Sequence, residues 1–468
     1  LIYTIDISYD IYSRVNIIKS KFPEIHFRTL DTTKLYPLHS SIDSAEYTQD
    51  SYNLFVLKSI ICNTLSKITN LETEKIGNVK LKDEVSIKDF SFRNIYRDKT
   101  NVLSQLSPNN EAVVLANLYC TSIKPLEQIA LFDPISYLFL SNSTNKIKRS
   151  NYIDTNFRND FFKNYEIEDD YDFVLTEIIQ STLPSIFLEK YNSYKSSILE
   201  KKTSAHIRSV VTAQCLYSYD PINIWMMLQR HNYKTKIIIC QHGGGYGIQE
   251  PCLQENFERE CSDYFATWGW RKNRTKDIPI SSLQLVDLKF PYSKDSKNIL
   301  FIRTERNHMN LISNSPFLPN KGLDYHTRCI DMMKSLSASM QSRIFIKNHS
   351  NSTHTFNDII ESEFNQYNCL NPKIPIISIK SKYRLFIVDY PGTSFLQLVY
   401  LKIPFILIFS KDIFPLNDNA RKFIDMLTEL GLAFSDIVKA SDFIEKNINV
   451  IHEWWNQREI QTALYEFS

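Results

Sequence analysis

The sequence has 468 residues, too many for one hydrophobic core and suited to two or three domains. Its 43% hydrophobic and 23% charged content is that of an ordinary globular protein, and a net charge of +2 excludes the broad basic field of a nucleic-acid binder. The longest apolar runs, such as 236–240 and 403–409, fall far short of the roughly 20 residues that cross a bilayer. Residues 1–110 carry no motif, although 53–68 has helical spacing. From Glu111 the pattern becomes regular: a buried strand over 112–118, helix over 171–202 punctuated by Pro184, and a β-branched strand over 206–213. Asp220-Pro221 opens an amphipathic helix to Gln229, with Asp as N-cap and Pro in the first turn. A strand over 234–241, a helix over 256–262 and a strand over 264–267 follow.

A polar stretch over 271–297 reads as a linker, after which the alternation resumes. Strands are expected at 298–303, 343–347, 374–379, 385–388 and 404–409, and helices at 324–338, 356–364 and 393–401. Residues 419–467 read as mainly helical. The expected organisation is an N-terminal segment 1–110, a Rossmann-like lobe 111–275, a linker 276–297, a second lobe 298–440 and a helical tail 441–468. Strand–helix alternation makes both lobes α/β with parallel sheets.

The cysteines (Cys62, Cys120, Cys215, Cys240, Cys252, Cys261, Cys329 and Cys369) contain no CxxC pair, which supports neither a zinc knuckle nor a disulfide scaffold. No signal peptide is visible, Leu1 in place of Met reads as a trimmed start, and a reducing cytoplasm is the expected compartment.

The chain has nine glycines, and four of them fall within Gln241-His242-Gly243-Gly244-Gly245-Tyr246-Gly247. A sequence so sparing of glycine groups four only where backbone geometry demands it. The loop leaves a strand at the carboxyl edge of a sheet, where open α/β sheets bind ligands, and its N–H groups can hold phosphate oxygens. The alternative is a tight turn. The spacing is neither a Rossmann GxGxxG nor a Walker A. His242 reads as an acid, a base or a cation facing a leaving phosphate, against the alternative of a structural histidine.

Asp389-Tyr390-Pro391-Gly392-Thr393-Ser394 joins a strand to a helix and makes an anion cradle, with Thr393 or Ser394 as both N-cap and phosphate ligand. Lys347-Asn348-His349 and Arg303-Thr304-Glu305-Arg306 each end a strand and place cations at the same edge, as phosphate ligands or as solvated charges. Asp170-Tyr171-Asp172 has the DxD form, but an acidic run before a helix is better read as serving the helix dipole than as holding a metal. Trp268-Gly269-Trp270 suits stacking on a ligand or packing, and Trp454-Trp455 reads as a docking surface, with membrane contact the alternative. No hydrolase motif is present.

With those residues in place, the chain resembles a family of bacterial transferases encoded in lipopolysaccharide and surface-glycan loci, first annotated in Leptospira. The likeness runs from Ala112 to Tyr400 and is most specific at Ile239-Cys240-Gln241-His242-Gly243-Gly244-Gly245-Tyr246-Gly247 and at Phe265-Ala266-Thr267-Trp268-Gly269-Trp270. The Asp389 to Ser394 turn is similar to the nucleotide-contacting turn of many GT-B enzymes, including capsule transferases that use CMP-Kdo. The resemblance implies a GT-B fold of two Rossmann-like lobes about an interlobe cleft, working without a metal or cofactor. It implies transfer from a nucleotide sugar, preferably CMP-linked Kdo or a nonulosonic acid, to a lipopolysaccharide or capsule glycan.

On this reading the second lobe binds the donor through Arg303, Arg306, Lys347, His349, Asp389, Gly392, Thr393 and Ser394, with Gln241, Gly243, Gly244, Gly245 and Tyr246 contributing from the glycine loop. His242 faces the reacting sugar in the first, acceptor-side lobe. Asp220 leads Glu250 and Glu255 as the acceptor's base. The partners are a nucleotide-sugar donor and a glycan or glycolipid acceptor, with peripheral contact at the inner membrane as an option and no nucleic acid. The rivals are a CDP-glycerol or CDP-ribitol polyol-phosphate transferase, a non-catalytic assembly protein and an epimerase.

Overall fold

The computed structural model describes residues 84–94, 111–118, 136–148, 154–199, 206–217, 220–283, 285, 296–304, 321–349 and 368–467. The helices expected at 53–68 and 356–364, and Arg306, lie outside them.

The first sheet has seven strands: β1 (Glu84–Asn94), β2 (Glu111–Ala116), β3 (Ser136–Lys148), β4 (His206–Thr212), β5 (Lys236–Cys240), β6 (Tyr264–Trp268) and β7 (Asp277–Ile280). Their order is β1-β3-β2-β4-β5-β6-β7. Strands β3, β2, β4 and β5 pair in parallel, and β1 runs antiparallel to β3. Helices α1 (Thr155–Phe162), α2 (Asp170–Thr182), α3 (Tyr191–Leu199), α4 (Asp220–Tyr233) and α5 (Leu253–Cys261) belong to this half of the sequence. The helix expected over 171–202 with a break at Pro184 ends at Thr182: Leu183 is extended, and Pro184 precedes a short 3-10 turn. Asp170 and Asp172 stand in the first turn of α2, whose N-cap Asp169 accepts through Oδ1 from the Asp172 backbone at 2.8 Å, while Asp172 Oδ2 accepts from the Glu168 backbone at 3.2 Å. That geometry is helix capping.

The second sheet has six strands: β8 (Ile299–Ile302), β9 (Ile344–Lys347), β10 (Asn368–Cys369), β11 (Leu385–Val388), β12 (Phe405–Ile408) and β13 (Ala433–Phe434). All are parallel, in the order β10-β9-β8-β11-β12-β13. Every residue of β8, β11 and β12 is buried, as expected of parallel strands covered on both faces. The sequence leaves β8 toward β9 on one side and returns to β11 on the other, so a topological switch lies between β8 and β11. The helices are α6 (Gly322–Lys334), α7 (Ala338–Gln341), α8 (Ile376–Ile379), α9 (Thr393–Tyr400), α10 (Asp418–Glu429), α11 (Ile437–Asn447), α12 (Ile451–Trp455) and α13 (Arg458–Phe467).

Three expectations are corrected here. The strand expected at 374–379 is helix α8, because Pro375 at φ −64° has no N–H for a ladder and starts a helical turn. The segment read as a linker contains β7, which pairs at the edge of the first sheet. Trp454-Trp455 is no docking surface: Trp455 is buried against Phe405, ring centroids 5.4 Å apart, and Trp454 packs on Phe443 at 4.8 Å. The tail therefore closes the second core through Ile451, Trp455, Ile460 and Leu464. Among the described residues no helix is long and apolar enough to cross a membrane.

By contacts the chain forms two compact units, one of Leu1–Cys240 with Glu258–Phe265, the other of Gln241–Phe257 with Ala266–Ser468. The glycine loop, expected in the first lobe from its place in the chain, thus groups with the second sheet.

Burial, with the Glu258 carboxylate nearby, pushes the Cys240 thiol up to about 12, and burial takes Cys329 to about 11. The thiolate is the reactive form. Native-state alkylation near pH ~8, read by mass spectrometry, is expected to label the exposed Cys369 and to spare Cys240 and Cys329 until the protein unfolds. Labelling of Cys240 in the folded protein would contradict this packing.

Candidate functional site

The glycine loop begins where β5 ends, and Gln241 anchors it. Its side chain is 3% exposed; Nε2 donates to the Gly243 carbonyl at 2.9 Å, and Oε1 accepts from the Trp268 backbone and from Trp270 Nε1, each at 2.8 Å. Gln241 was expected to hold a ligand; instead its amide ties the loop to the Trp268–Trp270 turn. A fully buried group left unmet costs about 1–3 kcal/mol, and these half-buried partners lose part of that.

Two of the glycines have steric causes. A Cβ on Gly244 would stand 2.2 Å from both the Gly392 carbonyl carbon and the Thr393 nitrogen, so the two backbones touch with no room for a side chain. The Gly244 N–H donates to Thr393 Oγ1 at 2.9 Å. Gly247 has φ +71° and lies over the Trp270 ring, which a Cβ would meet at 2.5 Å. Its N–H donates to Glu255 Oε2 and its carbonyl accepts from Asn417 Nδ2, both at 2.8 Å. Glu255 is thereby used in holding the loop. By contrast, a Cβ on Gly243 would make only an ordinary 3.5 Å contact.

His242 and Tyr246 face each other across this loop. The Tyr246 hydroxyl lies 3.4 Å from His242 Nδ1 and 3.3 Å from Nε2, with the rings tilted edge to face. His242 is half-buried and Tyr246 is buried.

The second turn sits at the topological switch. Asp389, directly after β11, accepts from the Thr304 backbone at 3.1 Å through each oxygen, from Thr304 Oγ1 at 2.7 Å and from the Tyr325 hydroxyl. Burial pushes its carboxyl above the usual range, although the Tyr325 and Thr304 bonds oppose the rise. Its contacts make it a brace between the ends of β8 and β11, where a ligand contact was expected. Gly392, not a hydroxyl residue, caps α9, so Thr393 and Ser394 lie in the first turn. Their N–H groups precede any intrahelical acceptor, and the helix dipole adds positive potential there.

The flanking cations are also drawn into the protein. Arg303 is 1% exposed, donates to Asn348 Oδ1 at 3.1 Å and lies over the Tyr325 ring. Its Nη2 is 3.2 Å from His326 Nδ1. Lys347 donates to the Pro372 carbonyl at 2.7 Å, and burial lowers its pKa. His349 follows at the end of the same strand, half-buried. Asp220 begins α4 in the first unit, and Glu250 is exposed in the second. Tyr325 and Asn417, which hold these turns, carried no sequence signal, because their partners are 64 and 170 positions away.

Beside the loop, within the second unit, lies a cavity of about 930 Å³. Gln241, Tyr246, Gly247 and Glu250 line one wall, Trp268 to Lys272 another, and α9 and the start of α10 a third.

A family model described as LIC12162 family transferase matches residues 1–468. The chain belongs to that family. No curated protein is detectably similar in sequence. Among solved structures, the chain is similar to the spinosyn rhamnosyltransferase SpnG complexed with thymidine diphosphate, at 9% identity and TM-score 0.34 over 76% of this chain and 95% of that one. It is also similar to Medicago truncatula UGT71G1 complexed with UDP-glucose, at 8% identity and TM-score 0.35 over 78% and 94%. For Acinetobacter baumannii MurG the values are 10% and 0.32 over 77% and 98%. The match along the whole chain carries the family assignment.

The steric difference within this family member's glycine loop is directly testable. Gly244→Ala must separate two backbones and is expected to destabilise by about 1–3 kcal/mol or more, whereas Gly243→Ala has room and stays near wild type. Thermal unfolding of both variants decides it; equal midpoints would refute the close approach. Gln241→Leu, which strands three half-buried partners, is expected to lower the midpoint as well.

Proposed function

We propose that this transferase moves a sugar from a nucleotide donor to a glycan, on the two-lobed GT-B plan. The preferred donor is a CMP-linked acidic sugar, Kdo or a nonulosonic acid, and the acceptor a lipopolysaccharide or capsule glycan. The observation that carries the reading is the hydrogen bond from Gly244 to Thr393, which fixes the His242 loop against the amino end of α9 at the topological switch of the second sheet. Family membership supports the transferase activity, and the loop's resemblance to surface-glycan transferases supports the acidic sugar.

In this proposal the donor phosphate lies at the start of α9. The N–H groups of Thr393 and Ser394, the Thr393 hydroxyl and the helix dipole meet the charge that grows as the glycosidic C–O bond breaks. Gly243, Gly245, Gly392 and His349 complete the donor side. His242, steadied by the Tyr246 hydroxyl, faces the reacting sugar. The acceptor hydroxyl attacks the anomeric carbon as CMP departs, and gives its proton to a carboxylate, for which Glu250 stands in the same unit as the loop. Arg303, Lys347 and Asp389 shape the sheet edge through their contacts inside the protein.

Incubation with CMP-Kdo, CMP-nonulosonic acid or CDP-glycerol, followed by product analysis, tests the donor. Release of CMP with a new glycoside is expected, and turnover of CDP-glycerol alone would replace the acidic-sugar reading. His242→Ala is expected to lower kcat by about 10²-fold or more. Thermal shift gives a second readout: CMP at about 100 times its Kd stabilises by about 2.7 kcal/mol, and a preference for UDP over CMP counts against the proposal.

A further inference from the structure

The cavity beside the glycine loop has a wall chemistry that the donor site does not use. Its volume of about 930 Å³ is at the upper end for a small-molecule pocket. One wall is apolar, made by Leu396 and Val399 of α9 and by Phe423 and Ile424 of α10. Trp268 adds an aromatic face, and Asn256 and Asn419 add amide groups that both donate and accept.

The charges decide against a polyanion. Glu250, Glu255 and Asp418 line the cavity with Arg271 and Lys272, so three acidic groups stand against two basic ones. A nucleoside diphosphate would meet no positive excess there. An uncharged ligand with many hydroxyls and an apolar end matches all three features. Tyr246 connects this cavity to the chemistry: the residue lines it, while its hydroxyl lies 3.3 Å from His242 Nε2.

We propose that this cavity is the acceptor pocket, and that it takes an amphiphilic glycoside, sugar rings joined to an apolar aglycone. The assignment rests on the glycosyl-transfer reading and narrows its acceptor to one with an apolar aglycone beside the sugar. The sugar lies against Trp268 and the asparagines, and the aglycone against α9 and α10. Tyr246 is then a positioning residue, placing His242 in register with the bound acceptor.

Calorimetric titration of the whole protein with octyl glucoside below its micellar concentration, and separately with CMP, tests the pocket without requiring turnover. Saturable octyl glucoside binding is expected, weakened at least tenfold in Asn419→Trp, which fills the cavity from an exposed position, while CMP affinity stays unchanged. Tyr400→Asp, at another exposed lining position, is a second variant should the first fail to fold; it is expected to weaken binding of the octyl chain and leave CMP alone. Absence of octyl glucoside binding, binding indifferent to both substitutions, or displacement of the glycoside by CMP would overturn the proposal. Glycoside binding blocked by Asn419→Trp in a protein that turns over no nucleotide sugar would keep the pocket and refute the transfer reaction.

Discussion

Gly244 and Thr393 are 149 positions apart, and their backbones meet so closely that no side chain fits at position 244. The rest of the site hangs on that approach. It sets the height of the glycine loop over α9, leaves the Tyr246 hydroxyl beside His242 with the rings edge to face, and lets the Thr393 hydroxyl oxygen accept from the Gly244 N–H. Gln241, Glu255 and Asn417 then hold the loop from three other sides with hydrogen bonds of 2.8–2.9 Å. A loop braced in this way is pre-organised, and pre-organised donors cost little when charge develops beside them.

The second sheet follows the same logic. At a topological switch the connections after neighbouring strands depart to opposite sides and leave a crevice. Here Asp389 spans the ends of β8 and β11 by gathering Thr304 and Tyr325, and Arg303 is packed beneath on the Tyr325 ring. A buried carboxylate with several donors is held more by its hydrogen bonds than by any one charge. The crevice therefore keeps its polar neighbours for itself and offers outward the amino end of α9.

This division of labour separates two surfaces of one unit. The start of α9 has positive potential and suits a phosphate. The cavity that Tyr246 lines has apolar and amide groups without cationic excess, which suits a glycoside, and it reaches α9 through Pro391 and Phe395. Tyr246 lines the cavity and places its hydroxyl at His242.

Much of this was legible along the chain. Continuous apolar runs such as Leu385 to Val388 declared buried parallel strands, and the clustering of scarce glycine marked the loop, because hydrophobic period and backbone sterics are local properties. Pro375 misled the strand assignment only because its neighbours are apolar, and Trp454-Trp455 looked exposed only because its partners Phe443 and Phe405 are distant or unmarked. What each marked residue touches was decided by tertiary structure alone. Four glycines announce a backbone that must come close to something. Whether that something is a phosphate or the Gly392–Thr393 peptide depends on which distant segment the fold delivers, and no local pattern encodes a contact across 149 residues. The sequence by itself determined two α/β sheets built on parallel strands and a glycine-rich loop at the end of one of them. The tertiary structure turned Gln241, Lys347 and Asp389 inward and opened a cavity beside Tyr246, because burial obliges polar groups to find partners wherever packing brings them.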